Sequence, residues 1–398
     1  MRSLLALLVA VGVAGAVYAA EPVAVGFQKV TLSQQFFAEG AYYGDFNKDG
    51  KMDVVIGPHW YEGPTFQTRH EVRPVKTYDP KGYSDNFLTF TADFNGDGWT
   101  DIFYVSFPGE KGLWYENPQG KPGHWKSHLA FAIIDNESPM WGDVNGDGRP
   151  DLVFNTGGQL GYATWDPAKP DEAWVFHAVT PKRKYHKYTH GIGFGDVNGD
   201  GRADVLESAA WWEQPANAAS GQPWIEHPFA FAGGAAQMFA YDVDGDGLND
   251  VITVDQCHGY GLLWYKQVKN EKGEIVWQKN VILPSKPDVK SSELRISQMH
   301  AVELVDFNGD GLKDILTGKR FWAHGPKGDA EPDAPAVVYW FELQRSQDKQ
   351  VRFIPHMIDD NSGVGTQVAA TDLNSDGVPD VIVGNKKGNF LLLSRGKK

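Results

Sequence analysis

The hydrophobic and polar positions of this chain fall into short, strand-sized runs, and the runs recur in a fixed order. Each round contains a β-branched, apolar run: "DVVIG", "DIFYV", "DLVF", "DVLES", "DVITV", "DILTG" and "DVIVG". A Trp/Tyr-rich run follows, as in "HWYEGP", "LWYENP" and "AWWEQP". A fourth run closes the round, as in "RHEVRPV", "WVFHAVT" and "FIPHMID". With the strand ahead of each β-branched run, this makes four short strands per unit of about fifty residues, the pattern of a propeller blade. The expected fold is all-β: one seven-bladed β-propeller over residues 21–398. The last unit has only three strands before Lys398, and a spare segment, Val25 to Leu32, resembles the fourth strands. That segment is expected to complete the last blade and close the ring, which removes exposed sheet edges.

Between the first and second strands of every unit stands D-x-[DN]-x-D-G-x-x-D. The copies begin at Asp45, Asp93, Asp143, Asp196, Asp242, Asp306 and Asp372. The third place holds Asn47, Asn95, Asn145, Asn198, Asp244, Asn308 and Asn374; the fifth holds Asp49, Asp97, Asp147, Asp200, Asp246, Asp310 and Asp376. Glycine is sixth in each copy, where the chain must turn sharply. The seventh place offers a carbonyl, from Lys51, Trp99, Arg149, Arg202, Leu248, Leu312 and Val378. The ninth is Asp53, Asp101, Asp151, Asp204, Asp250, Asp314 and Asp380. Oxygens at these places suit calcium, so up to seven ions are expected. An EF-hand would instead put Glu at place twelve between helices; here the flanks read as strands.

On these loops the chain resembles the FG-GAP/VCBS repeat propellers of secreted bacterial proteins, across essentially the whole mature chain. The resemblance implies the calcium-loop propeller fold and says little about function.

Charge and cysteine content fit this picture. Seven divalent ions would offset the formal net charge of −14, so the acidity reads as structural, and its sign disfavours a nucleic-acid partner. The one cysteine, Cys257, allows no internal disulfide. Arg2, the apolar run Leu4 to Ala16 and the small residues near Ala19 and Ala20 read as a signal peptide over residues 1–20. The expected location is secreted or periplasmic, with no transmembrane anchor after cleavage. Oligomeric state is not legible.

If the loops mark the bottom of the ring, the insertions 76–86, 180–189, 284–297 and 319–336 fall on the top, where function concentrates. They carry Lys182, Arg183, Lys184, Lys187, Lys290, Arg295, Lys319, Arg320 and Lys327, which suit an anionic ligand. His70, His128, His177, His227 and His356 share one fourth-strand position and are read as structural. His190 and His300 each stand six residues before a loop, and His258 follows the second strand of the unit between them. All three are expected at the top opening, either as a zinc or other transition-metal site or as hydrogen-bonded rim residues without a metal, with Cys257 an ordinary second-strand residue or a weaker alternative ligand. Glu137 holds the equivalent place next door, and His59 and His324 follow second strands. Asp85, Asn86, Asp135, Asn136, Gln237 and Gln367 are expected on the same rim.

Two functions fit. One is a carbon–oxygen lyase or dehydratase acting by β-elimination on a keto-sugar or uronate. The propeller is similar to that portion of aldos-2-ulose dehydratase, whose cupin portion has no counterpart here. His190 or His300 would act as base, Lys319 or Arg320 would stabilise the oxyanion, and His324 or Tyr188 would protonate the leaving oxygen. Glu137 belongs to the catalytic set, with His59, Asp85, Asp135, Gln237 and Gln367 contacting substrate. The other function is a non-catalytic propeller that binds a glycan or a protein, as in adhesion receptors. No G-x-S-x-G, phosphate-binding Gly loop or H-E-x-x-H is present.

Overall fold

All seven β-branched runs form strands, and each begins on the ninth-place aspartate of its loop: Asp53–Ile56, Asp101–Val105, Asp151–Thr156, Asp204–Glu207, Asp250–Val254, Asp314–Gly318 and Asp380–Asn385. Their residues are almost wholly buried, because runs such as Val54–Ile56 are apolar on both faces and take the middle of a sheet. The computed structural model describes residues 25–217 and 223–397; the signal peptide expected over residues 1–20 lies outside them. The regular elements of the described residues are strands, in five hydrogen-bonded sheets.

Three sheets are separate four-stranded antiparallel units. The first runs Ala41–Gly44, Asp53–Ile56, His59–Tyr61 and Arg69–Glu71 in spatial as in chain order. The last is completed from the other terminus: Val25–Ser33 pairs antiparallel with Gly388–Lys397, as expected for the spare segment. The other two sheets are pairs of fused units. Lys126–Gly142 is one continuous strand that ends one unit and begins the next, which gives seven strands. Ile192–Gly195 pairs in parallel with Gln237–Tyr241, which joins two units into eight strands. Gly193 makes that join: a Cβ there would lie 2.1 Å from the Met238 carbonyl oxygen.

The loop aspartates do the local stitching. Each ninth-place carboxylate is at most 2 % exposed and accepts the N–H of the loop's second residue, as from Phe46 to Asp53 at 2.9 Å. Six of them also accept an N–H from the end of the third strand: Gly63, Asn117, Gln214, Gln267, Leu343 and Ser394. Each first-place carboxylate accepts the N–H of the sixth-place glycine, as Asp45 does from Gly50 at 2.9 Å.

The recurrent histidines are packing residues. His70, His128, His227 and His356 stack on Trp60, Trp114, Trp211 and Trp340 at centroid distances of 4.1, 4.0, 3.9 and 4.3 Å. Each also bonds a glutamate on the neighbouring strand, Glu62, Glu116, Glu213 or Glu342. His177 stacks on Tyr162 and bonds Thr164.

The innermost strands of all units border one cavity of about 650 Å3, lined among others by Tyr42, Phe90, Trp141, Phe194 and Phe239. Its end away from the loops is laced by side-chain amides. Gln367 accepts Thr89 N–H and donates to Thr89 C=O, both at 2.8 Å. Gln237 accepts Val302 N–H at 3.0 Å and donates to Thr366 C=O at 3.3 Å. Both amides were expected to contact substrate; they are instead committed to backbone groups of other units, which would lie unpaired and buried without them.

That lacing predicts a stability effect. Gln367→Ala leaves two buried backbone groups without partners and is expected to cost about 2–4 kcal/mol. Urea unfolding of the variant against wild type measures it; a loss below about 0.5 kcal/mol would show that the amide is dispensable.

Candidate metal centre

At the laced end three imidazoles meet. His190 and His300 come from the segments entering two innermost strands, and His258 from the turn after Asp250–Val254. The His190 Nε2 atom lies 3.1 Å from that of His300 and 3.2 Å from that of His258. The three ring centroids are each 5.0 Å from the others. His190, His258, His300 and Cys257 each offer a ligand atom within 4.8 Å of the rest. Three nitrogens at this spacing cannot all present bare lone pairs to one another; an N–H hydrogen or a metal ion must lie among them.

Carboxylates and one guanidinium set the electrostatics. Glu137 Oε2 lies 3.3 Å from His300 Nε2 and 3.6 Å from His190 Nε2. Arg320, only 2 % exposed, reaches Glu137 at 3.4 Å and pairs closely with Glu39. Burial would raise the Glu137 carboxyl, but hydrogen bonds from His190 and His300 and the charge of Arg320 hold it well below the usual carboxylate range. Burial works against charge on His190, yet its bonds to Cys257 and Glu137 outweigh burial and lift it to about 10. His300 is depressed to about 3, by burial first and then by Arg320. His258 is pushed down by burial and by the other two imidazoles. Among the three rings a proton is thus held most firmly on His190, beside the Glu137 carboxylate.

A second pair adjoins the first. The His324 ring lies 4.5 Å from that of His258, and its Nδ1 bonds Asp329 at 2.9 Å. Asp329 also lies 3.8 Å from His258 Nδ1. Half-exposed, His324 keeps its Nε2 edge available at the rim.

The other residues expected here divide. Tyr188 is exposed and shares a cavity of about 450 Å3 with His190, His186 and Arg183. Asp135 sits close by, under the influence of His186 and Lys187, with burial raising its carboxyl. Lys319 was expected to face a developing oxyanion, but its buried ammonium donates to Ser297 Oγ at 2.9 Å and Glu331 C=O at 2.8 Å, bracing the 319–336 insertion. Asp85 was expected to meet substrate; it is held by Arg73 at 2.7 Å and Lys76 at 3.8 Å. His59 is fully enclosed, edge-on to Phe37 at 5.0 Å, and burial lowers it to about 4, so it is a core residue rather than a rim residue. Asn86 and Asn136 bond Thr89 and Asn155 inside their own units. Three residues went unread in the sequence: Glu39, Asp329 and Lys386, whose ammonium donates to Trp322 C=O at 2.8 Å. Glu39 stands six residues before Asp45, the place that Glu137, His190 and His300 hold in their units, and Lys386 stands six after Asp380, as Arg320 does after Asp314, so the repeat register was the signal that could have found both; Asp329 sits within the irregular insertion 319–336.

In the loops the first-, third- and fifth-place oxygens point together: Asp45 and Asn47 both accept Asp49 N–H, at 3.2 and 3.0 Å. The fifth-place oxygen turns back to the seventh N–H, as Asp49 does to Lys51 at 2.9 Å. The donor set is all oxygen, it fits a hard cation, and the buried ninth carboxylate adds to its negative charge. In the fifth loop the Lys266 ammonium contacts both Asp244 and Asp246.

The Arg320 network carries a prediction. Arg320→Met strands Glu39 and Glu137 as buried charges and is expected to cost about 3–5 kcal/mol. Thermal or urea unfolding reads this; the double variant with Glu39→Gln should recover part of the loss, and no recovery would break the assigned coupling.

Residues 93–154, 143–207 and 242–317 match the profile of the FG-GAP-like repeat, and residues 364–393 match that of the FG-GAP repeat. Together the matches span more than half of the chain. Integrin alpha pat-2 of Caenorhabditis briggsae is 26 % identical over 291 residues, covering 58 % of this chain and 23 % of that protein. A T-cell immunomodulatory protein homolog of Plasmodium falciparum (isolate 3D7) is 28 % identical over 144 residues, covering 31 % and 19 %. The chain therefore spans about a quarter or less of the length of these curated relatives. Among solved structures, an Agrocybe aegerita lectin that recognises non-reducing terminal N-acetylglucosamine aligns with a TM-score of 0.48 and 17 % identity, over 84 % of this chain and 81 % of that one. The rhamnogalacturonan lyase YesW aligns with a TM-score of 0.46 and 11 % identity, over 92 % and 75 %. With its repeats matched and its strands arranged as described, the chain belongs to the FG-GAP repeat β-propeller family.

Proposed function

We propose that this chain is an exported, seven-bladed propeller with calcium in its loops, and that it acts on a carbohydrate at a transition-metal centre on the top face. Seven loop-bearing units and the completion of the last unit by Val25–Ser33 support the blade count. The converging loop oxygens support calcium. The observation that carries the functional reading is the meeting of His190, His258 and His300 through their Nε2 atoms, backed by Glu137. With the His190 proton displaced, the three imidazole nitrogens suit zinc, and Cys257 is near enough to be a fourth donor.

The reaction proposed is β-elimination from a keto-sugar or uronate. Bound there, the metal would act as a Lewis acid toward the substrate's carbonyl or carboxylate oxygen. With His190 and His300 serving as ligands, the proton carriers left at the rim are His324 and Tyr188. Asp329 fixes the His324 ring through Nδ1, and its Nε2 would take the proton next to the carbonyl. Tyr188, exposed in the cavity shared with His190, would protonate the departing oxygen. A C–H and a C–O bond break, a C=C bond forms, and the proton passes through the two side chains. Arg320 holds Glu137 in position and takes no proton itself.

Elemental analysis of the purified protein should find calcium at up to seven ions per chain and one zinc. His190→Ala with His300→Ala should remove the zinc and leave the calcium. Ultraviolet absorbance should rise when the wild type meets a keto-sugar or an oligouronate, and His324→Ala should slow that rise by about 10²–10⁴-fold. Absence of an unsaturated product from every such substrate would sink the lyase reading and leave a propeller that binds glycan or protein. Calcium removal by chelation should lower the thermal midpoint; an unchanged midpoint would remove calcium from the account.

A further inference from the structure

The central cavity poses a separate question. Three residues before each loop's first aspartate, the repeat places Tyr42, Phe90, Met140, Gly193, Phe239, Glu303 and Ala369. The one carboxylate in that series, Glu303, therefore occupies a place that other units fill with apolar or aromatic groups. It lines the same cavity of about 650 Å3 as the aromatic wall. Around that wall Tyr42 lies 5.7 Å from Phe90, Phe90 stacks on Trp141 at 5.4 Å, and Phe194 pairs in register with Phe239. One Glu303 oxygen accepts the N–H of Leu304 at 3.2 Å, and Lys313, which lines the same cavity, acts on it through space without an ion pair. Among the described residues no lysine or arginine forms an ion pair with it. Desolvation raises the Glu303 carboxyl to about 7, so water does little for the anion there.

A carboxylate set among aromatic faces, without a built-in counter-ion, lacks one component: a cation that tolerates apolar surroundings. Aromatic faces attract cations through their quadrupoles, most strongly when the site is desolvated. A bare divalent ion is a poor match, because it needs six or more oxygen ligands and around Glu303 the wall offers aromatic rings and aliphatic side chains such as Val302, Leu304 and Ala369. The volume falls within the usual range for small-molecule sites. The Gln237 and Gln367 lacing crosses one end, while at the other the lining runs on to Asp306 and Asp372 on the acidic loop face.

We propose that the central cavity binds a small organic cation, a quaternary or protonated amine, with its charged head between Glu303 and the rings of Tyr42, Phe90 and Trp141. This site is separate from the imidazole cluster, and its occupancy does not depend on metal there.

The probe is choline, set against its uncharged carbon isostere 3,3-dimethyl-1-butanol. Both are titrated calorimetrically into the full mature chain with calcium present. Choline is expected to bind, and at least about tenfold more tightly than the isostere. Glu303→Gln should weaken choline by about tenfold or more and leave the isostere unchanged. Phe239→Leu should weaken it less; it serves as the second variant if Glu303→Gln does not fold. His190→Ala with His300→Ala should bind choline like wild type, which separates this site from the metal centre. No wild-type binding up to about 10 mM, equal binding of the isostere, or full binding by Glu303→Gln would each overturn the proposal.

Discussion

Seven carboxylates buried at the heads of the central strands hold this architecture in place. Asp53 and its six counterparts leave water to accept N–H groups from the loop ahead and, in six units, from the third strand behind. Burial, with neighbouring carboxylates adding to it, lifts them out of the usual aspartate range, as for Asp314 at about 8. Such a group is tolerable only with its hydrogen bonds made and with positive charge near it. Loop, central strand and third strand are thus fastened at a single point in nearly every unit. Because that point always lies on one face, the other face is free to carry insertions.

The opposite face solves a charge problem of its own. Arg320 and Glu39 face each other in the interior with almost no solvent, and Glu137 links that pair to three imidazoles. These groups come from segments far apart in the chain, so each unit contributes little alone. Their common requirement is charge balance in a desolvated space, and Arg320 and Lys386 both act on Glu39 and Glu137 there. The insertion 319–336 covers this region and is braced from within by Lys319 rather than left loose.

Much of this was legible in the residues. The repeat announces four strands per unit, the strand that closes the last unit, and the structural role of the recurrent histidines. His190, His258 and His300 stood out because they break the repeat at related positions, and they do meet. Gln237 and Gln367 stood out in the same way, yet they serve the backbone; a polar residue at a strand end reads alike whether it faces a ligand or an unpaired carbonyl. His59 and Asp85 failed for a related reason, since burial by Phe37 and pairing with Arg73 are set by neighbours distant in space.

What the sequence determined by itself is periodic: strand order, loop chemistry and the odd residues within an otherwise regular unit. Those follow from local rules, because a β-branched run buries itself and a glycine turns wherever its neighbours require it. The tertiary structure decided which odd residues share a space. It fused neighbouring units through Lys126–Gly142 and through Gly193, paired Arg320 with Glu39, and set Glu303 among aromatic rings. Charge pairing and desolvation act between units brought side by side, and no periodicity along the chain encodes which groups will meet there.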